Sequence, residues 1–532
     1  MARPLALAAR PGGLAAIVRD AGAGLLVLLL GAFVLWPVAT VILHGLVVAQ
    51  AGWPWAAAVD TLVVALAATL GAVVPAGLIG LVMTRVDIRG RRTLWRIFKF
   101  GILIPPFSIS LALLTLTGPH GLLAEGWPGA GLGAIAIGQA LAFLPLAVVL
   151  VVGALARVPV ELEQAAEILG ASRTTVARRV TIELAGPAVL RAALVVLGLC
   201  LADVATPLLL GGEVRVLATV VVATAAIDAP GAARAALTLT TLALGIALVG
   251  GAWRPDGMGA EGIPPRLERR APPALRWSLG VSVWAVAAVL AGLWAVVPLA
   301  SLLARDAGGL SLEHWSVVAT AAGARAVGTS VVLGLGVALA GTVLALAAAR
   351  IVERRRGSAG RAVEALTRIP LVTPGVVAGV GYVLLFAGPP LALSTLPVLI
   401  VLVACWELPA TARVARDELA RSDRSVEEAA ISLGAGVLTT LTRVVAPGLG
   451  PLAARMAAHL FAAGVLAVGT VIVLAGAGGE LGALTLLALA AGDATGAACA
   501  IATVLLVLAG GALLLGRALA GRQRGFTPRS AP

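Results

Sequence analysis

Two carboxylates, Asp203 and Glu407, stand inside long apolar stretches of the chain. An ionised group in such a place must face water, a partner or the interior of a bundle. Asp203 is therefore a candidate to line a polar pathway; the alternative is a structural role, bonding a helix broken near Pro207. Glu407, beside Trp406 and Pro409, is a second pathway candidate, with snorkelling or a bond to the neighbouring loop as its alternative. Asp60, next to Thr61, reads as a helix cap. His44, His120, His314 and His459 fall in separate segments, with no i, i+4 pair and no Cys or Asp set beside them. Cys200, Cys405 and Cys499 lack the spacing of small metal sites and read as buried small hydrophobes. No nucleophile and base converge, so neither catalytic residues nor a metal site are expected, and an intramembrane hydrolase is disfavoured.

The most specific pattern is a pair of polar loops. Gln164-Ala165-Ala166, Gly170, Arg179-Val180 and Pro187 recur 264 residues later as Glu428-Ala429-Ala430, Gly434, Arg443-Val444 and Pro451. Pro145 and Pro409 precede them at the same offset, so the register holds across each loop, at 157–187 and 421–451. The stretch Val160 to Val180 is helix-prone, with Glu161, Glu163 and Glu167 early and Arg173, Arg178 and Arg179 late, the order a helix dipole favours. Gly170 and Gly434 interrupt that pattern, marking either a turn between short helices or a place where another surface comes close.

The elements that must position these loops are membrane helices. The chain has 532 residues, 60% hydrophobic and 12% charged, with a mean hydropathy of +1.04. A spanning helix needs about 20 apolar residues. Twelve stretches qualify, near 23–46, 58–84, 97–118, 130–153, 188–211, 234–253, 275–303, 323–349, 365–388, 394–412, 451–476 and 494–518. The first is read as a membrane helix rather than a cleaved signal. Basic residues collect on one side of this arrangement, at Arg85 to Lys99, Arg157 to Arg191, Arg254 to Arg276, Arg350 to Arg368, Arg413 to Arg455 and Arg517 to Arg529. The other side receives Arg215, Arg234, Arg305 and Arg325. That bias puts both termini and both repeated loops in the cytoplasm. The sidedness of the +13 formal charge fits topology and anionic membrane lipid rather than nucleic acid.

A Pro-, Gly- and Arg-rich seam, with Pro264-Pro265 and Arg269-Arg270, divides the chain. It predicts a first repeat over 1–253, a cytoplasmic linker over 254–274 and a second repeat over 275–532. Each repeat has six helices and starts on the same side, so the repeats are parallel. A secondary transporter could share that layout, but it would call for more intramembrane charge and has no need of matched cytoplasmic loops.

These residues resemble the membrane subunits of binding-protein-dependent ABC importers of the type I fold. That family's signature loop reads Glu-Ala-Ala, three residues, Gly, then a hydrophobic residue and a later proline. The second loop matches through Glu428, Ala429, Ala430, Gly434 and Pro447. The first departs with Gln164 for the glutamate and Glu183 for the late proline; Glu163 offers a carboxylate next door, but in a helix it points elsewhere. The resemblance implies an all-α membrane protein whose loops form short coupling helices. They would dock on two copies of a cytosolic ABC ATPase that uses ATP and Mg, in a bacterial inner membrane. The chain has no Gly-Lys-Ser or Gly-Lys-Thr phosphate loop, and Lys99 is its single lysine, so the motor must be a partner. An extracytoplasmic solute-binding protein is the other implied partner, docking on the outer loops 211–234 and 304–323, which carry Glu213, Arg215, Asp228, Arg234, Arg305, Asp306 and Glu313. Leu201 to Pro207 with Gly211-Gly212 and Val216 to Thr219, and Gly464 to Leu474 with Gly492-Asp493 and Ala497-Ala498, are similar to fused ferric iron permeases. Thiamine and 2-aminoethylphosphonate permeases share much of that wording.

Overall fold

The computed structural model describes residues 13–47, 52–118, 130–250, 272–303, 309–354, 357–386, 396–421, 424–436, 439–440, 443, 446–475 and 480–524. His120, Arg305, Asp306 and nearly all of the 254–274 seam lie outside them. Lipid offers no partner for backbone N–H and C=O groups, so an apolar chain of this kind must satisfy them within helices. Among the described residues the protein is all-α and multi-span, apart from one isolated bridge between Leu303 and Leu310.

In the first half α1 (Gly13–Leu30) passes through a π turn (Gly31–Leu35) into α2 (Trp36–Val47). Then come α3 (Trp55–Arg85), α4 (Arg91–Gly101), α5 (Pro106–Thr117) and α6 (Leu132–Leu155). The loop region holds α7 (Val160–Ile168) and α8 (Arg173–Val176), followed by α9 (Ile182–Ala202). Short α10 (Ala205–Leu210) and α11 (Leu217–Thr224) lead into α12 (Ala229–Val249). The second half runs α13 (Pro273–Ala300), α14 (Ser316–Ala319), α15 (Ala321–Arg354), α16 (Ser358–Val372), α17 (Gly375–Phe386), α18 (Leu396–Trp406) and α19 (Leu408–Arg421). It continues with α20 (Arg424–Ser432), α21 (Ala446–Val465), α22 (Ile472–Ala475), α23 (Gly482–Ala491) and α24 (Thr495–Arg524).

Among the described residues, eight helices are long and apolar enough to cross a membrane, and three further pairs become spans if each is read through its bend. The bends are 95° between α4 and α5, 109° between α16 and α17, and 55° between α18 and α19. All but one of the twelve apolar stretches coincide with one of these. The exception is 451–476, where α21 ends at Val465 and the chain unwinds before the four-residue α22. The stretch near 188–211 also breaks, at Asp203-Val204. Pro207 has no N–H with which to bond the carbonyl four residues back, at Asp203, which favours a break there, although Pro75, Pro145 and Pro187 sit inside unbroken helices.

The halves meet by exchanging helices. α17 packs on α2 and α12 of the first half, while α5 packs on α13 and α24 of the second. Tyr382, fully buried in α17, donates to the Phe33 carbonyl in the π turn at 2.9 Å. The two breaks face each other, and a Cβ on Gly469 would sit 3.6 Å from Val204. A matched contact recurs within each half: Leu217 N–H donates to Thr61 Oγ1 at 2.8 Å, and Gly482 N–H to Ser330 Oγ at 2.9 Å. Asp60 therefore is no cap. α3 starts at Trp55, which puts Asp60 inside the helix, and Thr61 instead receives the first N–H of α11.

Candidate functional site: two matched polar loops and a broken helix

In each loop a short helix ends in the same turn. α7 follows Pro159, whose extended conformation suits entry to a helix, and stops where Gly170 takes φ +86°. α20 stops at Gly434 with φ +84°. Ala171 N–H reaches back to Ala166 O at 3.0 Å, and Ala435 N–H to Ala430 O at the same distance. This is a left-handed glycine stop in which the second alanine of each triplet supplies the accepting carbonyl. Of the two meanings open for Gly170 and Gly434, the turn is present in both. A Cβ on either would meet nothing within 4 Å, so the constraint is the backbone angle rather than space.

The helices present one face outward. Gln164 and Ala165 are exposed and Ala166 is half-buried; Glu428, Ala429 and Ala430 repeat that order. Leu169 and Leu433, just before the glycines, are 87% and 89% exposed, and Ile168 is 86% exposed. These are bare apolar side chains at the tips of two otherwise polar loops. Pro447 is exposed in the first turn of α21, where a missing N–H costs nothing. Glu183 is exposed in the first turn of α9.

Glu163 does not stand in for the glutamate missing at Gln164. Its side chain is fully buried and turned inward, accepting from Arg85 Nε at 3.0 Å and from Thr181 Oγ1 at 2.6 Å. Glu427, beside Glu428, likewise turns to Arg350 Nη2 at 3.3 Å. Gln164 and Glu428 are thus equivalent positions, and there the second loop carries a charge that the first lacks. Sequence reasoning used Arg85 and Arg350 for topology and missed their pairing with these glutamates. The signal was there: Arg85 ends and Arg350 comes near the end of a long apolar helix, 78 and 77 residues ahead of its glutamate.

At the break, Asp203 works as a cap. Its Oδ1 accepts from Ala205 N–H at 3.1 Å and Thr206 N–H at 3.3 Å, satisfying donors at the start of α10. Gln139 Nε2, from α6, donates to Asp203 Oδ2 at 3.2 Å and to Cys200 O at 3.0 Å. Ser110 Oγ donates to Thr206 Oγ1 at 2.9 Å, so α5 joins the cluster. Gln139 was missed because a lone amide in an apolar run carries no periodic signal. Glu407 lies elsewhere, at the bend between α18 and α19, with Oε2 3.6 Å from His459 Nε2 of α21. The structure does not bring Asp203 and Glu407 together.

Cys200, Cys405 and Cys499 are buried and unpaired by disulfide. Among the described residues no group of three or more His, Cys, Asp or Glu could hold a metal ion. In the loop over 211–234, Glu213, Arg215 and Asp228 are exposed. Arg234 is not: it lies buried in α12, which removes it from any docking surface. Asp228 caps α12 by accepting from Gly231 N–H at 2.9 Å.

Residues 76–255, which include α7 and the break at Asp203, match the family model described as binding-protein-dependent transport system inner membrane component. The chain is 26% identical over 388 residues to the ferric transport system permease protein FbpB of Actinobacillus pleuropneumoniae, covering 66% of this chain and 54% of that protein. It is also 26% identical over 387 residues to the putative ferric transport system permease protein FbpB 1 of Haemophilus influenzae, covering 66% of this chain and 59% of that one. The matched region thus spans a little over half the length of these curated relatives.

Proposed function

We propose that this chain is the membrane permease subunit of an ATP-driven importer, which moves ferric iron from an extracytoplasmic solute-binding protein into the cytoplasm. The observation that carries the reading is the pair of coupling helices, α7 and α20. Each ends in a left-handed glycine behind a bare leucine, at the same offset in the chain. Two such tips suit two copies of one cytosolic ATPase. The parallel repeats over 1–253 and 275–532, joined by the 254–274 linker, would then form a pseudo-twofold pair with both loops and both termini in the cytoplasm of a bacterial inner-membrane protein. Asp203 serves the pathway by holding the helix break open beside α5 and α6, and Glu407 lines its cytoplasmic end.

The iron assignment rests on the names of the relatives and on the stretches around Asp203 and Gly464. Iron is a hard cation that favours oxygen ligands. The described residues offer no cluster for it, so recognition belongs to the binding protein. The test is the ligand which that protein retains, offered ferric iron, thiamine and 2-aminoethylphosphonate in parallel. Retention of ferric iron, with vesicle uptake that stops when the ATPase is withheld, is the expected outcome. A binding protein that keeps an organic solute removes the iron assignment, and uptake indifferent to the ATPase removes the importer reading.

A further inference from the structure

Each coupling helix is tied by an ion pair to the end of a long span that is not its neighbour in sequence. In the first half Glu163 Oε1 takes Arg85 Nε at 3.0 Å, Arg85 Nη2 at 2.9 Å and Thr181 Oγ1 at 2.6 Å, while Arg85 Nη2 also donates to Leu155 O at 3.0 Å. Four pieces meet there: the ends of α3 and α6, the coupling helix α7 and the turn entering α9. In the second half Arg350, near the end of α15, reaches Glu427 on α20 at 3.3 Å. A buried ion pair adds little net stability over apolar packing of the same volume. What it does supply is a directional, stiff link. The glutamate facing inward is the same in both loops, although the outward neighbour differs, Gln164 in one and Glu428 in the other.

We propose that Arg85–Glu163 and Arg350–Glu427 are struts that carry movement of the coupling helices directly into α3 and α15. These residues are positioning residues, and the inference rests on the permease reading above. A push on the exposed tip at Leu169 or Leu433 reaches the long span through the ion pair without passing along α8 and α9 or their second-half equivalents. The first strut is closed, with side chains 11% and 0% exposed. The second is more open, at 31% and 14%, so it tolerates substitution better.

The test uses the full chain assembled with an importer-type ATPase in proteoliposomes. Spin labels on Trp55→Cys and Ala322→Cys sit at the ends of α3 and α15 remote from the struts. ATP with vanadate is expected to change the distance between labels in the otherwise unaltered chain. Arg350→Gln and Glu427→Gln should still recruit the ATPase and support hydrolysis, yet reduce the fraction of molecules that change distance by roughly fivefold. The swap Arg350→Glu with Glu427→Arg should restore it. Should a single variant fail to assemble, Glu427→Asp, which draws the carboxylate back, carries the same expectation. Single variants that move like the unaltered chain, or an assembled swap that stays uncoupled, overturn the struts. A chain without these substitutions that recruits no ATPase overturns the permease reading and the struts with it.

Discussion

Gln139 of α6 holds the carboxylate of Asp203 at 3.2 Å, across 64 residues of sequence, at the point where a membrane helix is interrupted. The same amide nitrogen reaches the Cys200 carbonyl, which the break leaves without a helical donor. One side chain thus steadies both sides of the interruption, while Asp203 serves the new helix start.

Asp203→Ala should lower stability by about 1 kcal/mol through loss of the cap on α10. Asp203→Asn keeps an accepting oxygen for Ala205 and Thr206, so it should insert and melt nearly as before while slowing ATP-dependent uptake. Thermal unfolding in detergent beside vesicle uptake separates the two effects. Identical behaviour of both variants in both assays would show that the cap geometry has no bearing on transport.

Gly434→Ala should weaken ATPase association by roughly tenfold, since an alanine at φ +84° costs about 1–2 kcal/mol. Gly434→Asn should be milder, because asparagine tolerates the left-handed region better. No neighbouring atom lies near enough to a new Cβ to add a steric term. Association measured by co-purification over a titration of ATPase reads the difference. Asn and Ala variants of equal affinity would mean that the backbone angle is not what matters.

Leu169→Ser and Leu433→Ser should leave the melting temperature unchanged, because both side chains already stand in solvent. Association with the ATPase should nevertheless fall, by about 1.5–3 kcal/mol if the partner fully buries the leucine. The same titration checks it, and unaltered affinity would place the docking surface elsewhere on the loops.

Glu428→Gln should hurt more than Gln164→Ala. The first change removes a charge that one loop presents to the partner, and the second removes none. Stimulated ATP hydrolysis in paired reconstitutions gives the comparison, with equal losses counting against any functional difference between the loops.

Tyr382→Phe should cost about 0.5–1.5 kcal/mol, since it removes the cross-half hydrogen bond to the carbonyl of the half-buried Phe33. Insertion should be unaffected. Denaturant unfolding in micelles is the measurement, and a neutral result would mean that water or a relaxed π turn replaces the hydroxyl.

Much of this protein was legible before any coordinates. Long apolar runs can cross lipid only as helices, so 58–84, 130–153, 275–303 and 323–349 could be placed from composition alone. The glycine stops were legible too, as interruptions of a helical pattern shared by two loops, because a left-handed residue is a local requirement. Helix ends and partners across the fold were not. Periodicity says that Glu163 and Gln164 face different ways, but which one turns inward depended on Arg85, 78 residues earlier. The cap that Asp203 makes on α10 and its bond to Gln139 were not legible, because those amides and Gln139 come together only in the fold. The stretch 451–476 read as one span because its composition is uniform, yet it unwinds after Val465, opposite the break at Val204. Sequence determined what had to be helical and where two loops repeat, since those depend on near neighbours and on solvent. The tertiary structure decided which polar groups meet, since a buried charge settles wherever packing brings a partner within reach.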